Sequence, residues 1–330
     1  MTAPIITVVG SLNADLVTRC SRLPNGGETL TALDFSTGSG GKGANQAVAC
    51  ARLSRPRHSK GQPDVVVRMV GAVGDDVFGR DLVAGLTKDG IDVSDVRVLE
   101  SQKTGNAVII VEEGTGENRI LLSPNANHSW PETFAGFSEP LPAVVVLQLE
   151  IPLQTVLSCI RVAKEKGVQV LLNPAPAVEL PKDIYKDITH LILNETEAAL
   201  LAGAKVEDLA DGYWIPSVAE RFLALGVENV VITLGAKGAY FSAKGGYEGH
   251  IPAEEVKVID TTAAGDTFVG AYAVEAARHA AQGDFNIGEA CEWANRASAK
   301  TVEKNGAQSA IPFMDEIPTP SQKEAEQPQN

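Results

Sequence analysis

Short, unbroken runs of aliphatic and β-branched residues recur along the chain, and stretches of helical spacing lie between them. The first is Ile5-Ile-Thr-Val-Val9. A run without polar alternation has no face to offer water, so it suits a strand covered on both sides, as in a parallel sheet. Val65 to Val73 reads as a second such strand, and Val77 to Asp89 as a helix after it. Beyond Ala143 the rhythm resumes with strands over 143–149, 168–172, 188–193 and 229–234, and helices over 153–166, 195–202 and 217–225. This order predicts a doubly wound α/β fold, a mostly parallel sheet flanked by helices.

Two segments break the rhythm. Residues 16–36 carry turn signals at Pro24-Asn-Gly-Gly27, and 105–112 and 119–122 alternate around Gly114-Thr-Gly116 as a hairpin. Together they predict a small β-sheet lid, about 16–36 and 105–122, inserted in the α/β core. Such a sheet is marginal alone and must cover something. A further hairpin is expected over 239–251 and a last helix over 286–304. The folded unit is expected to span 1–314, a polar, basic surface loop occupies 54–64, and the tail 315–330 has the composition of disorder.

With 44% hydrophobic and 21% charged residues, the 330-residue chain has ample material for a large core. Its net charge of −14 argues against nucleic acid and anionic membranes as partners. Any bound phosphate must therefore be held locally, by backbone dipoles, a metal ion or a few basic side chains. No apolar span is long enough to cross a membrane, and the N-terminus lacks the pattern of a signal peptide. Four scattered cysteines without a C-x-x-C pair read as reduced thiols, which suits a cytoplasmic or nuclear protein. The five histidines show no metal-ligand spacing.

Chemistry concentrates in Val256-Lys-Val-Ile-Asp260-Thr-Thr-Ala263-Ala264-Gly265-Asp266-Thr-Phe. The alternating β-branched residues predict a strand ending at Asp260, and Phe268, Val269, Tyr272 and Ala273 mark a helix from Gly265 onward. Between them the bare N–H groups of Ala263, Ala264 and Gly265 open the helix, a place suited to an anion. Asp266, in the first helical turn, is either a helix-stabilising acid or a base held beside that anion.

Gly38-Ser-Gly-Gly41-Lys42-Gly matches G-x-G-x-x-G, but a strand and a sheet-like insert precede it, unlike a dinucleotide fingerprint. It reads better as a glycine-lined helix start that lets Lys42 and Asn45 approach a polyol. Asn13 and Asp15 follow the first strand, and Glu150 follows another. Asn194 and Glu197, three apart at a helix start, suit a hydrated Mg²⁺ beside phosphates; a simple N-cap is the alternative. Thr233-Leu-Gly235-Ala-Lys-Gly238 offers backbone to a phosphate or purine.

Taken together, these motifs resemble the ribokinase family of carbohydrate kinases. Gly-Ser-Leu-Asn13-Ala-Asp15, Gly40-Gly-Lys42-Gly-Ala-Asn45-Gln-Ala, Gln148-Leu-Glu150, Asn173-Pro-Ala-Pro-Ala, Asn194-Glu-Thr-Glu197, Thr233-Leu-Gly235 and Asp260-Thr-Thr-Ala-Ala-Gly-Asp266 occur in family order. Ser123-Pro-Asn125-Ala-Asn127-His departs from the family's usual run, and 54–64 is extra. The resemblance implies ATP-dependent phosphorylation of D-ribose on its carbon-five hydroxyl. It implies that Asn13, Asp15, Gly41, Lys42, Asn45 and Glu150 bind ribose and that Asp266 is the base, with the N–H groups of Ala263, Ala264 and Gly265 as anion hole. ATP would meet Asn194, Thr233, Gly235, Gly238, Gly265 and Asn295, with Glu197 supporting Mg²⁺. An activating K⁺ would lie behind the anion turn, held by Asp260 and Thr262 and by a second loop with Thr301, Lys304, Gly306 and Ala310. The family also implies a homodimer through the lid.

Two other functions fit the same fold. One is a kinase for another sugar or a nucleoside; an acidic sugar would usually want an arginine, which none of these motifs supplies. The other is a non-catalytic sugar-binding regulator, which would have no need of Asp266.

Overall fold

The computed structural model describes residues 2–59, 63–115, 117–203, 214–280 and 282–318. The first half of the chain supplies strands β1 (Ile5–Val9), β2 (Asn13–Cys20), β3 (Asp34–Gly40), β4 (Val66–Gly74), β5 (Asp92–Leu99), β6 (Gly105–Glu112), β7 (Asn118–Ser123) and β8 (Val144–Leu147). The second half adds β9 (Gln169–Leu172), β10 (His190–Asn194), β11 (Asn229–Thr233), β12 (Ala239–Ala243) and β13 (Tyr247–Ile251). The helices are α1 (Lys42–Leu53), α2 (Val77–Lys88), α3 (Leu153–Lys166), α4 (Glu195–Ala202), α5 (Ile215–Ala224), α6 (Ala264–His279) and α7 (Ile287–Val302).

Nine of the strands form one sheet in the order β13-β12-β11-β10-β9-β8-β1-β4-β5. The run from β11 to β5 is parallel throughout, and the β12–β13 hairpin closes one edge in antiparallel fashion. Successive side chains of a strand point to opposite faces, and the core divides accordingly. Ile6, Val8, Val146 and Val231 pack on one side with α1, α2, α6 and α7; Val9, Val145, Leu147, Val230 and Ile232 pack on the other with α3 and α5. The doubly wound architecture expected from the sequence is the one observed. From β1 the chain winds outward to β4 and β5 and later, from β8, in the other direction, so the strand order reverses between β1 and β8. Ligands of open α/β sheets bind at the carboxyl ends of strands flanking such a reversal.

The remaining four strands form a separate sheet, β3-β2-β6-β7, with β2 parallel to β6 and antiparallel pairs outside them. This is the expected lid, with two shifts of boundary. The third strand runs through Gly38 and Gly40, so the first half of the glycine-rich stretch is sheet and only Lys42 onward is helix. Residues 21–33 form no strand.

Two further differences have physical causes. Val256–Asp260 is not a strand: it has no ladder partner, and the N–H groups of Ile259 and Asp260 instead reach the Val302 carbonyl at 2.7 and 3.3 Å. β-Branched residues favour extended backbone, but a strand also needs a neighbour, and the sheet has already ended at β13. Strand β5, unmarked in the sequence reading, is an edge strand whose Asp92, Ser94 and Arg97 face solvent. The packed chain also continues past 314: Met314–Glu316 makes one 3₁₀ turn and Ile317 is buried. The rest of the expected disordered tail, 319–330, lies outside the described residues, as do 60–62 of the basic loop. The described part of that loop is tied down, because Arg57 stacks over Phe313 and donates to Glu316 at 2.6 Å.

Candidate active site

The turns that follow β1 and β8 meet at the strand-order reversal. Glu150, just beyond β8, accepts through Oε2 from Ser11 Oγ at 2.5 Å, from the Lys42 backbone N–H at 3.0 Å and from Asn13 Nδ2 at 3.5 Å. The β1–β2 turn and the start of α1 are thereby fixed on one carboxylate distant from both in sequence. Their close approach depends on glycine: Gly41 has φ 88, and a Cβ at Gly43 would fall 2.5 Å from the Ser11 nitrogen. Asp15 extends the cradle from β2 and lies against Gly40. Burial, then the charges of Glu150 and Asp266, push its carboxyl up to about 7. The Lys42 ammonium is disfavoured by burial, yet Asp266, Glu150 and Glu197 outweigh that and hold it above its usual value.

Asp266 sits in the first turn of α6 and is only 7% exposed. Its Oδ2 accepts from Asn45 Nδ2 and its Oδ1 from Gln46 Nε2, both at 2.9 Å. Asn45 thus joins helix α1 to the expected base. The turn ahead of Asp266 has Ala263 in the left-handed region, with φ 60. Of its three expected anion-binding groups, the Ala264 N–H closes onto the Thr261 carbonyl at 3.2 Å, while Ala263 and Gly265 line a cavity.

That cavity, of about 240 Å³, is bounded by Lys42, Asn173, Asn194, Glu197, Thr233 and Asp266. A larger, mostly apolar one of about 540 Å³ adjoins it and includes Gly235, Gly238, Val256, Phe268, Asn295 and Val302. Thr233, Thr261 and Gly265 line both. A polar compartment beside a long apolar one suits phosphates followed by a purine. Val256 and Val258, read from sequence as strand residues, instead wall the apolar cavity. Asn295 points its Nδ2 at the carbonyls of Ile251 and Pro252.

Asn194 and Glu197 form a reciprocal N-cap on α4. Glu197 N–H donates to Asn194 Oδ1 at 2.8 Å, and the Glu197 carboxylate accepts from the Asn194 N–H at 2.9 Å and its Nδ2 at 3.0 Å. Capping and cavity lining coincide here, and burial raises the Glu197 carboxyl above its usual range. Among the described residues no group of three or more His, Cys, Asp or Glu is placed to hold a metal directly.

Asp260 has a different setting. It accepts from the Thr262 N–H at 2.9 Å, the Thr262 hydroxyl at 2.6 Å and the Gly306 N–H at 2.9 Å, bringing the two expected cation loops together. Burial opposes its charge, but these donors prevail and hold it below the usual carboxylate range. The other residues of that set diverge. The Thr301 hydroxyl lies 2.8 Å from Thr267 Oγ1, Lys304 Nζ reaches Glu316 at 3.0 Å, and Ala310 is buried. From these three positions only backbone carbonyls are left to serve a cation.

The family description "pfkB family carbohydrate kinase" matches residues 4–314. The chain belongs to that family. It is 44% identical over 318 residues to a ribokinase of Schizosaccharomyces pombe, covering 94% of this chain and 96% of that one. It is 36% identical to a deoxyribokinase of Salmonella typhi, covering 94% and 97%. Among solved structures, an Arabidopsis thaliana ribokinase complexed with ribose and ATP superimposes with a TM-score of 0.82 at 31% identity, covering 95% of this chain and 97% of that one.

Several residues of the site were given no role in the sequence reading. Asn127, whose segment stood out only as a departure from the family run, is buried and grips the β1–β2 turn. It accepts from the Leu12 N–H at 2.9 Å and donates to the Leu12 carbonyl and to Asn13 Oδ1 at 3.0 and 2.7 Å. Ser11, Gln46, Gln148 and Asn173 are likewise buried polar residues of the site. For Gln148 and Asn173 a signal was available, an amide at the end of an otherwise apolar run.

Proposed function

We propose that this chain transfers the terminal phosphoryl group of ATP to the carbon-five hydroxyl of D-ribose, giving D-ribose 5-phosphate. The observation that carries this reading is the position of Asp266: a buried carboxylate at a helix N-terminus, joined through Asn45 to the cradle of Asn13, Asp15, Lys42 and Glu150. The S. pombe relative and the Arabidopsis ribokinase with ribose and ATP support it. Neutral sugar hydroxyls suit an acceptor-rich cradle of carboxylates and amides. Asp266 accepts the hydroxyl proton as the sugar oxygen attacks phosphorus and the bond to the bridging oxygen breaks, ADP leaving with the electron pair. The N–H groups of Ala263 and Gly265, at the positive end of α6, face the charge on the transferring group.

With ATP the reaction takes Mg²⁺, which neutralises phosphate charge. Glu197, which lines the polar cavity, would hold it through water, in keeping with an ion that keeps much of its hydration shell. An activating K⁺ fits the Asp260–Gly306 contact, with Thr262 and carbonyls of 301–310 completing the shell and the ion stiffening the turn before Asp266. The chain acts as a homodimer paired through the lid, whose Phe35, Ile120 and Leu121 are exposed. Four free, buried cysteines suit a reducing compartment, cytoplasm or nucleus.

The deoxyribokinase relative makes 2-deoxyribose the first competitor to test. The test is a coupled ADP-release assay over pentoses, 2-deoxyribose, hexoses and nucleosides. Ribose is expected to give the highest kcat/KM. Faster turnover of deoxyribose or a nucleoside would reassign the substrate, and no ADP release with any of them would favour a binding-only regulator.

A further inference from the structure

Two glutamines lie behind Asp266 in positions that no substrate can reach. Gln46 on α1 and Gln148 after β8 are both 0% exposed. Gln46 Nε2 donates to Asp266 Oδ1 at 2.9 Å and to Asn173 Oδ1 at 3.1 Å, which uses both its hydrogens. Its Oε1 accepts from Gln148 Nε2 at 2.6 Å. Asn173 in turn donates to the Ile192 carbonyl at 3.0 Å.

Each amide in this chain has only one workable orientation. The Asp266 carboxylate and the Ile192 carbonyl are acceptors only, so each must face an NH₂ group. Turning Gln46 over would set its oxygen against both Asp266 and Asn173 Oδ1. Turning Gln148 over would oppose two oxygens, so its own Oε1 is left without a partner. A buried unpartnered oxygen is unfavourable, and the site accepts it to keep Gln148 Nε2 on Gln46. Gly10 makes the room: a Cβ there would fall 2.0 Å from Gln148 Oε1.

We propose that Gln46, itself oriented by Gln148, is the positioning residue that fixes the base. Gln46 anchors Oδ1 from behind, in a fixed direction. Oδ2 is held by Asn45, whose own Oδ1 has no partner, so that amide is anchored at one end alone. Asp266 can thus receive a sugar proton on Oδ2 without swinging about χ2. The inference rests on the kinase reading above and assigns to that reaction two residues that touch neither sugar nor nucleotide.

The test uses the full chain with ribose and ATP in the ADP-release assay: wild type, Gln46→Met, Gln148→Met and the double variant. Methionine keeps the volume and removes the hydrogen bonds. Each single variant is expected to lose about 10- to 100-fold in kcat while ribose KM stays within about threefold, because orientation and not binding is lost. If Gln148 acts through Gln46, the double variant is no slower than Gln46→Met alone; independent packing damage would instead multiply the two losses. Circular dichroism and calorimetric ribose binding establish the folded fraction, and Gln148→Met, one residue further from the base, carries the test should Gln46→Met fold poorly. Folded variants with kcat within about threefold of wild type, or multiplying losses, overturn the proposal. A wild type that phosphorylates no sugar refutes the functional reading itself, whereas an active wild type with an unimpaired Gln46→Met refutes this inference alone.

Discussion

Replacing Asp266 by asparagine isolates proton transfer from everything else the residue does. The amide keeps the shape but presents one oxygen and one NH₂ where the carboxylate presented two acceptors. Gln46 is held by Gln148 and Asn173 and cannot turn, so the new carbonyl must face Gln46 Nε2. The new NH₂ then faces Asn45, whose unpartnered oxygen can rotate into place to accept it. That rotation carries Asn45 Nδ2 to the place where its oxygen had no partner, so one buried donor is left unpaired and the variant is expected to lose about 1–3 kcal/mol of stability while staying folded. The substitution also removes one of the charges that push Asp15 up, so ribose binding should survive. Turnover should not: loss of a general base costs about 10²–10⁴-fold, or about 3–5 kcal/mol of barrier. Steady-state ADP release and calorimetric ribose binding on the same preparation separate the two effects. Turnover within about threefold of wild type would move the base elsewhere. A lost ribose isotherm in a folded variant would refute the rotation argument for Asn45.

Three further outcomes are expected. The Asp15 carboxyl, raised from 3.8 to about 7 by burial and its acidic neighbours, keeps its proton when folded at a pH where the unfolded chain has lost it; stability from this group is present below the lower value and lost as pH rises through the higher one. Asp15→Asn should therefore gain melting temperature over wild type progressively from about pH 4 to 7 while weakening ribose binding, and a pH-independent difference would refute the assignment. K⁺ should activate well above Na⁺, with Asp260→Asn abolishing the preference; equal rates in K⁺, Na⁺ and a large organic cation at matched ionic strength would remove the ion from the account. Leu121, 66% exposed on the lid, is expected to lie in a dimer contact, so Leu121→Glu should shift the light-scattering mass towards the monomer, and a monomeric wild type at micromolar concentration would refute the assembly.

The α/β frame was legible because its signal is redundant. Runs such as Ile5–Val9 are buried on every residue, and no other architecture covers so many of them at once. The lid was legible from Gly114 and the alternation around it. What failed was local sequence judged without its neighbours. Val256 and Val258 carry a strand's composition, but their partner is a nucleotide-sized cavity and not a strand. Gly38 and Gly40 look like the opening of a helix, yet they pair with Asp15 and Asn13 across β2 and β3. The residues expected to face sugar and nucleotide sit in small-residue motifs and were named in advance. Gln46, Gln148 and Asn127 stood within quoted segments but received no role, because an amide's role depends on what lies opposite it, and their partners are distant in sequence.

The electrostatics of the site explain why its two aspartates, six residues apart, cannot exchange roles. Asp266, Asp15, Glu150 and Glu197 influence one another or Lys42 in a chain of net charge −14, and among the described residues Lys42 is the one basic side chain lining the smaller cavity. A neutral sugar enters such a cradle without conflict, and its hydroxyls relieve the carboxylates by donating to them. A nucleotide does not. Its phosphates must meet positive potential, and apart from Lys42 the strongest local source is the N-terminus of α6, which needs a fixed turn to aim its N–H groups. Asp260 supplies that fixity: held by Thr262 and Gly306, it ties the turn to the C-terminal loop and stays ionised. A carboxylate so fully engaged by donors is a poor proton acceptor. Asp266 is held by amides alone, with lone pairs to spare on each oxygen, and it stands where cradle and anion turn meet. The proposed division of labour follows from what each carboxylate accepts: the one that takes three donors from two loops would shape the anion site, and the one open to the cavity would take the proton.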